Sequence, residues 1–272
     1  MPDLQLVHPP RKIRHYGFRR SLPRVEPFAD VGGLTILPEV DPRGELPPVE
    51  DQGQLGSCTA NATASCFRYD AILDGNDPGQ LCRFFIYYGE RKLEGDLGQG
   101  DTGAEGHDAF TVAQSGIPDE TAWPYTWPGG IDAGPPDNSV FDPPSLPASV
   151  VDAPVAYTLK KPVVAVPQTQ QAIQAVLSNK QTVAMGFTVY ESFESSEVAN
   201  SGIVPMPTQA EKVVGGHEVL IVGYLQSDPN HALVMNSWGT SWGLSGFCQF
   251  PWTYICNPQL ASDLRTITRS AV

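Results

Sequence analysis

The stretch QGQLGSCTANATASCFRYDAIL, residues 52–73, joins a glycine-bearing turn to a segment with helical periodicity. Apolar residues recur at spacings of three and four from Ala60 to Ala71, which predicts a helix over 58–73. Ser57 is a candidate N-cap, and the Gly-Asn pair after the run supplies a stop. A helix that opens on a cysteine, behind two glycines, is the local feature that organises the rest of the sequence.

Cys58 stands where a reactive thiol is expected. The N-terminal end of a helix carries partial positive charge, which favours the thiolate over the thiol. Gly53 and Gly56 let the chain approach a substrate carbonyl, and Gln52 offers a side-chain amide donor. The backbone N–H of Cys58 and the Gln52 side chain would then form an oxyanion hole. From this segment alone, a buried structural cysteine at a turn is the alternative.

Two later segments carry an imidazole and a carboxamide. GGHEVLIVGY, residues 215–224, places His217 at the start of an apolar strand, after two glycines. NSWGTSWGLSGF, residues 236–247, begins with Asn236, whose side-chain oxygen can accept the imidazole N–H and fix the tautomer. The indole of Trp238 would shield that bond from water. Taken singly, these residues are also compatible with a structural histidine and a Trp-rich core turn.

In this order, PVEDQGQLGSC, GGHEVLIVGY and NSWGTSWGLSGF resemble the three signature blocks of papain-like cysteine peptidases, in particular prokaryotic members of that family. The resemblance includes DETAWPY at 119–125 and spans residues 37–265. It implies an α+β, papain-like two-lobed fold: a helical left lobe, an antiparallel β-sheet or barrel as the right lobe, and the active-site cleft between them. It also implies a domain over 37–272, with the helical lobe at 50–155 and the β lobe at 156–272.

Carried over residue by residue, the resemblance implies roles for ten positions. The catalytic set would be Cys58 as nucleophile, His217 as general base and acid, Asn236 as the residue that orients the imidazole, and Gln52 as oxyanion donor. The substrate-binding set would be Gly103 in a wall that pairs with the substrate backbone, Met185, Gly216 and Glu218 in the side-chain pocket, Trp238 over the Asn–His bond, and Trp242 on the leaving-group side.

The sequence departs from the family pattern at several positions. Leu55 stands where the family usually has a cysteine, so a common disulfide is missing, and Thr59 replaces the aromatic residue after the nucleophile. His217 follows Cys58 by 159 residues, against about 130–150 in the family. Glu218 stands where a small residue is usual. Two interpretations of Glu218 stay open: it favours a basic substrate side chain, or it faces solvent.

Composition excludes several other classes. The chain has 272 residues, 41% of them hydrophobic, which is typical of a globular protein with a substantial core. No apolar run approaches the roughly 20 residues of a spanning helix, and the first residues lack the apolar segment of a secretory signal. We expect a cytoplasmic or non-classically secreted protein. The five cysteines form no CxxC pair, which argues against a zinc ribbon. No metal or cofactor is expected.

Charge divides the chain into a basic arm and an acidic body. Residues 1–24 carry six basic side chains and one acid, whereas the remainder carries eleven bases and twenty-nine acids. We predict that residues 1–36 fold back on the body and contact the cleft as a short inhibitory segment or a regulatory one. A nucleic acid, or an anion or phosphate-bearing ligand at the arginines, is the alternative partner. We expect a monomer.

The rest of the chain changes character midway. The Pro- and Gly-rich stretch 127–154 predicts a long loop without regular elements. After it, a helix over 168–179 precedes apolar runs typical of antiparallel strands. The resulting functional hypothesis is a cysteine-type endopeptidase acting on protein or peptide substrates through a thioester. Its alternatives are a catalytically silent binding module and a transpeptidase or deamidase on the same scaffold.

Overall fold

The computed structural model describes residues 16–269, and helices dominate the first half of this range and strands the second. The helices are α1 Cys58–Leu73, α2 Arg83–Glu94, α3 Gly106–Gln114, α4 Asn138–Phe141, α5 Ala148–Val151, α6 Gln170–Ser178, α7 Ser196–Ser201 and α8 Trp252–Ile255. The strands are β1 Phe18–Arg19, β2 Ala104–Glu105, β3 Ile117–Pro118, β4 Val155–Tyr157, β5 Val163–Ala165, β6 Val183–Tyr190, β7 Val213–Leu225, β8 Asp228–Met235, β9 Phe247–Pro251 and β10 Ala261–Ile267. The α+β class is confirmed.

Six strands form one antiparallel sheet in the order β5-β10-β6-β7-β8-β9. Successive side chains of a strand point to opposite faces, so the two faces of β7 pack into two different hydrophobic cores. Val219 and Ile221 belong to the core of the sheet lobe, whereas Leu220 and Val222 pack with the helices of the other lobe. The central strand β7 is therefore the boundary between the two cores, and the functional residues at its start lie between the lobes.

Helix α1 has the bounds predicted from the sequence and lies between α2, α3 and β7. It is buried on almost all sides, not on one apolar face, because its small Ala, Thr, Ser and Cys side chains let neighbouring elements approach. Ser57 precedes the helix but does not cap it through its side chain; its hydroxyl oxygen lies 2.5 Å from that of Tyr125. The chain leaves the helix through Gly75, at a φ of 77°.

The Pro- and Gly-rich stretch contains two single-turn helices, α4 and α5, so the prediction of no regular element there was wrong. Asp137 begins α4 by accepting a hydrogen bond from the backbone N–H of Ser139, and Pro147 occupies the cap position of α5. Proline is compatible with the start of a helix because its missing N–H would have no helical partner there. One proline of this stretch, Pro147, therefore begins a short helix.

The segment before α1 runs along the body of the protein. β1 pairs in parallel with β2, Phe28 bridges to Ala165 at the edge of the sheet, and Val40 bridges to Tyr224. The first fifteen residues, with Arg11, Lys12 and Arg14, lie outside the described range. Within residues 16–269, no helix combines the length and the apolar composition that crossing a bilayer requires.

Candidate active site

Cys58 lies at the first turn of α1 and is completely buried, with an exposed fraction of 0%. Backbone N–H groups of Glu218 and Gly17 bond to its sulfur. Burial and, secondarily, the charge of Glu218 raise the pKa of the thiol to about 12, against the lowering effect of those two amides. The thiolate expected from the helix N-terminus is therefore not favoured in this arrangement, because water is excluded from the sulfur.

His217 directly precedes Glu218, whose backbone amide lies near the Cys58 sulfur. The Nε2 atom of His217 lies 2.8 Å from the side-chain oxygen of Asn236, which also accepts the backbone N–H of Ser237 at 2.8 Å. Trp238 stacks on the imidazole with ring centroids 5.0 Å apart and an interplanar angle of 28°. The Asn236 oxygen and the indole together fix the ring orientation.

Gln52 connects the two lobes beside the nucleophile. Its side-chain oxygen accepts from the Ser237 hydroxyl at 2.7 Å, and its Nε2 donates to the Leu55 carbonyl at 2.9 Å. The backbone N–H of Gln52 donates to the Ser237 carbonyl at 2.9 Å. These three bonds orient the amide at the entrance of α1.

The arm crosses the site at Gly17. The Gly17 carbonyl accepts the N–H of Ala104 at 2.7 Å, and its own N–H bonds to the Cys58 sulfur. A Cβ atom on Gly17 would overlap the carbonyl of Gly56, and one on Gly103 would overlap Gly17. Gly103, at a φ of 69°, thus lies against a peptide backbone, as the sequence led us to expect of the wall.

The two residues that flank Gly17 occupy the cleft on either side of the sulfur. Tyr16 packs against His217 with ring centroids 6.1 Å apart, and its hydroxyl bonds to Glu194. Phe18 packs over Gly216: a Cβ there would lie 3.1 Å from the Phe18 ring. The cleft is filled by the protein's own chain, from Tyr16 to Phe18.

Met185 does not line the cleft. Its side chain is buried in the core of the sheet lobe, and the neighbouring Gly186 faces the cleft and contacts Phe18. The prediction for Met185 was therefore wrong by one residue, which in a strand reverses the direction of the side chain. Sequence reasoning missed Gly186, although a glycine inside an apolar strand is a signal of close backbone approach.

Trp242 and Glu218 are also buried. Trp242 packs nearly at right angles to Trp238, at 5.3 Å between centroids, so it supports that indole; its place on the leaving-group side stays a prediction. Glu218 is 1% exposed, so the interpretation that it faces solvent was wrong, and its role toward a substrate stays a prediction. Within the described range, no group of three or more His, Cys, Asp or Glu side chains is arranged to hold a metal ion.

Comparisons with known proteins identify the family of this chain. The model for "Papain family cysteine protease" matches residues 37–257. Xylellain, a cysteine protease from Xylella fastidiosa, is 32% identical with a TM-score of 0.79, over 97% of this chain and 99% of that structure.

Two curated relatives extend the comparison. An uncharacterized peptidase C1-like protein of Acanthamoeba polyphaga mimivirus is 37% identical over 78% of this chain and 67% of its own length. Cathepsin R of Mus musculus is 27% identical over 78% of this chain, and the match spans 60% of the cathepsin. With a thiol, an imidazole and a carboxamide at one cleft, these matches lead to a single conclusion: the chain belongs to the papain family of cysteine proteases, hydrolases of the cysteine-peptidase class.

Proposed function

We propose that the protein is a cysteine endopeptidase in which Cys58, His217 and Asn236 form the triad, Gln52 stabilises the oxyanion, and residues 16–21 hold the enzyme inactive. The observation that carries this proposal is the burial of the Cys58 sulfur beside the backbone amides of Gly17 and Glu218, with Glu218 directly following the Asn236-bonded His217. The arm would have to leave before a substrate enters.

The chemistry follows from the hydrogen bonds of His217. Because Nε2 is engaged by Asn236, Nδ1 takes the thiol proton. The sulfur then attacks the peptide carbonyl carbon, and the oxyanion accepts N–H donors from Gln52 and the first turn of α1, whose amides have no helical partners. His217 gives its proton to the leaving amine, which departs and leaves a thioester. Water, deprotonated by His217, then releases the acid and restores the thiol.

The arm occupies the cleft without presenting a cleavable bond at the sulfur. Gly17 directs its N–H to Cys58, while its carbonyl bonds to Ala104. The nucleophile therefore faces a hydrogen-bond donor instead of a carbonyl carbon. Ion pairs hold the arm on both sides of this point: Arg19 with Glu94 and Asp96, and Arg24 with Glu105 and Asp108. These pairs engage Arg19 and Arg24 within the chain and argue against an external anion at those two arginines.

A single methyl group provides the test. Gly17→Ala would clash with the Gly56 carbonyl and displace the arm, whereas Gly44 has no heavy atom within 4 Å of an added Cβ and supplies the matched control. In the full-length chain we expect Gly17→Ala to raise kcat/KM on a peptide substrate by about tenfold or more. This corresponds to destabilising the closed state, in which the arm occupies the cleft, by roughly 1.4 kcal/mol. Gly44→Ala should match the wild type.

Cys58→Ala in the Gly17→Ala background should abolish both turnover and labelling by a thiol-directed epoxide. Retained hydrolysis in that variant would refute the assignment of the nucleophile. Absence of turnover and of labelling in Gly17→Ala itself would favour a silent binding module. Amide-exchange or ligation products in place of hydrolysis, detected by mass spectrometry, would favour the transpeptidase or deamidase alternative. Equal activity of Gly17→Ala and wild type would contradict inhibition by the arm.

A further inference from the structure

The space occupied by Phe18 is formed by glycines on two adjacent strands. A Cβ on Gly186 of β6 would overlap the far end of the Phe18 ring, and one on Gly216 of β7 would clash with the Phe18 carbonyl. Phe18 is 9% exposed, so the phenyl ring is almost fully enclosed there. The missing side chains at these positions therefore create a subsite deep enough for a large side chain.

A carboxyl group lies beside this subsite without a visible partner. Glu218 is the cross-strand neighbour of Gly186, and within the described range neither of its carboxyl oxygens has a hydrogen-bond partner. A third glycine makes room for it, since a Cβ on Gly106 would overlap the Glu218 carboxyl. Buried polar groups in folded proteins are nearly always bonded, so an enclosed carboxyl with two free oxygens indicates a group that is not yet present.

The surroundings of Glu218 favour a cation as that group. Asp263 adds negative charge at this position, and burial and Asp263 together raise the pKa of Glu218 well above its usual range. Arg265 offsets this in part, but it is engaged by Glu26 of the arm and lies 3.9 Å from Asp263. A guanidinium or ammonium group in contact with Glu218 would restore the carboxylate and form charge-assisted hydrogen bonds.

We propose that Glu218 is the specificity-determining residue of the Phe18 subsite, and that the open enzyme takes an arginine or lysine side chain there. Tyr16 packs against His217, which protonates the leaving amine, so Phe18 on the other side of the sulfur marks the acyl side of the cleft. The selected substrate residue is therefore the one just before the residue whose carbonyl is attacked. An arginine or lysine side chain is longer than the phenyl group and reaches past its position. The inference rests on the proposed endopeptidase function.

The test uses the full-length Gly17→Ala chain and peptides that differ only at the selected position, with arginine, lysine, norleucine or phenylalanine. We expect arginine to exceed norleucine in kcat/KM by about tenfold or more. Glu218→Gln should lower that ratio by roughly tenfold, as expected for the loss of one charge-assisted hydrogen bond. Glu197→Gln, at an exposed position on α7, makes the same change in net charge and should keep the ratio.

Asp263→Asn gives a second, milder variant. Asp263 has a φ of 57°, which asparagine also tolerates, so the backbone is preserved while the charge is removed. Because Asp263 raises the pKa of Glu218, the rise of the arginine-to-norleucine ratio with pH should occur at lower pH in Asp263→Asn than in its parent, and this shift carries the test if Glu218→Gln does not fold. The rate of Cys58 alkylation and the melting temperature identify correctly folded variants.

Two outcomes overturn the inference and are distinct from failure of the endopeptidase itself. One is a folded Glu218→Gln enzyme with an unchanged ratio. That result would make Glu218 a structural residue whose carboxyl interacts with the buried carboxyl of Glu90. The other is a parent enzyme that prefers norleucine or phenylalanine over arginine. If no peptide is cleaved and Cys58 is not alkylated in Gly17→Ala, the proposed function fails, and the inference fails with it.

Discussion

The Cys58 thiol is completely buried and lies beside Gly17 of the arm. Its pKa is raised to about 12, chiefly by burial. At pH 8 few molecules of the closed protein carry a thiolate, and that fraction grows about tenfold with each pH unit up to the pKa. Access of water after arm displacement, with the α1 amides and the imidazole nearby, should lower the pKa.

Alkylation of Cys58 by iodoacetamide should therefore be at least about tenfold slower in the full-length protein than in Gly17→Ala at pH 8, because one pKa unit changes the thiolate fraction tenfold. The alkylation rate of Gly17→Ala should also begin to rise at a lower pH than that of the full-length wild type. Both proteins carry Cys256→Ala, which removes the one cysteine that is not fully buried. Identical pH profiles would contradict this account of the closed site.

Asn236 acts on the reaction through His217. Asn236→Ala in the open enzyme removes the 2.8 Å hydrogen bond, worth about 1–3 kcal/mol in a buried site, and should lower kcat by roughly 5–150-fold with little change in KM. Asn179→Ala removes a buried asparagine that donates to Gln181 and to the Arg269 carbonyl, and it controls for a loss of stability. A fall of equal size in both variants would argue against an orienting role.

Sequence motifs indicate which residues to examine, whereas their contacts depend on geometry. The structure joins His217 to Asn236 and Gln52 to Ser237 by hydrogen bonds, and the catalytic roles of Cys58, His217, Asn236 and Gln52 stay predictions. Met185 was misplaced because both faces of β6 are buried, and an apolar run without alternation does not show which residues face which side. The free carboxyl of Glu218 depends on neighbours from other strands, which no local pattern contains.

At the scale of elements, the arm is held by a short parallel strand pair and by partly exposed ion pairs. Arg19 and Arg24 remain 42% and 38% exposed, so each pair contributes about 0.2–1 kcal/mol and is sensitive to salt. The activity of the full-length protein should rise several-fold between about 0.05 and 0.5 M NaCl, since screening weakens these pairs.

Gly17→Ala, already open, should show little change over the same range. Replacing both Arg19 and Arg24 with glutamine should raise activity at low salt and abolish the salt response. A full-length protein whose activity falls with salt, in parallel with Gly17→Ala, would contradict electrostatic retention of the arm. The charge difference between arm and body, visible in the sequence, predicted this contact, but the pairing of β1 with β2 needed the structure.

The helices were predicted with different success for a physical reason. The bounds of α1 follow from its periodicity and the glycine stop, whereas α4 and α5 are too short to show a period. One-turn helices depend on their caps and on packing, and Phe141 and Val150 provide the buried contacts here. Composition alone indicates a loop in such a segment.

At the scale of the whole molecule, the N-terminal segment has two parts with different roles. Residues 16–21 fill the cleft, whereas residues 27–40 bond to the β lobe: Ala29 and Ala165 at 2.7 Å, and Val40 with Tyr224 in two bonds of 2.9 Å. A deletion of residues 1–36 would remove the first part and most of the second, but it would leave the two Val40–Tyr224 bonds. Two separate truncations distinguish inhibition by residues 16–21 from stabilisation of the fold by residues 27–40.

A chain without residues 1–21 should gain activity and melt only a few degrees lower, because it loses one short strand pair and the partly exposed ion pairs of Arg19. A chain without residues 1–46 should melt on the order of 10 °C lower, because it loses about four buried hydrogen bonds of roughly 1 kcal/mol each, at about 2–4 °C per kcal/mol. Thermal unfolding followed by circular dichroism measures both. Equal melting temperatures for the two truncations would contradict the supporting role of residues 27–40.

The bridges at Phe28 and Val40 also determine how strongly the arm competes with a substrate for the cleft. A detached Tyr16–Phe18 stretch would stay joined to the β lobe through residues 19–27. Over such a short tether it would compete with substrate at an effective concentration in the millimolar range. Dilution of the protein would not release it. Peptide supply, rather than the amount of enzyme, would then decide how often the cleft is free to work.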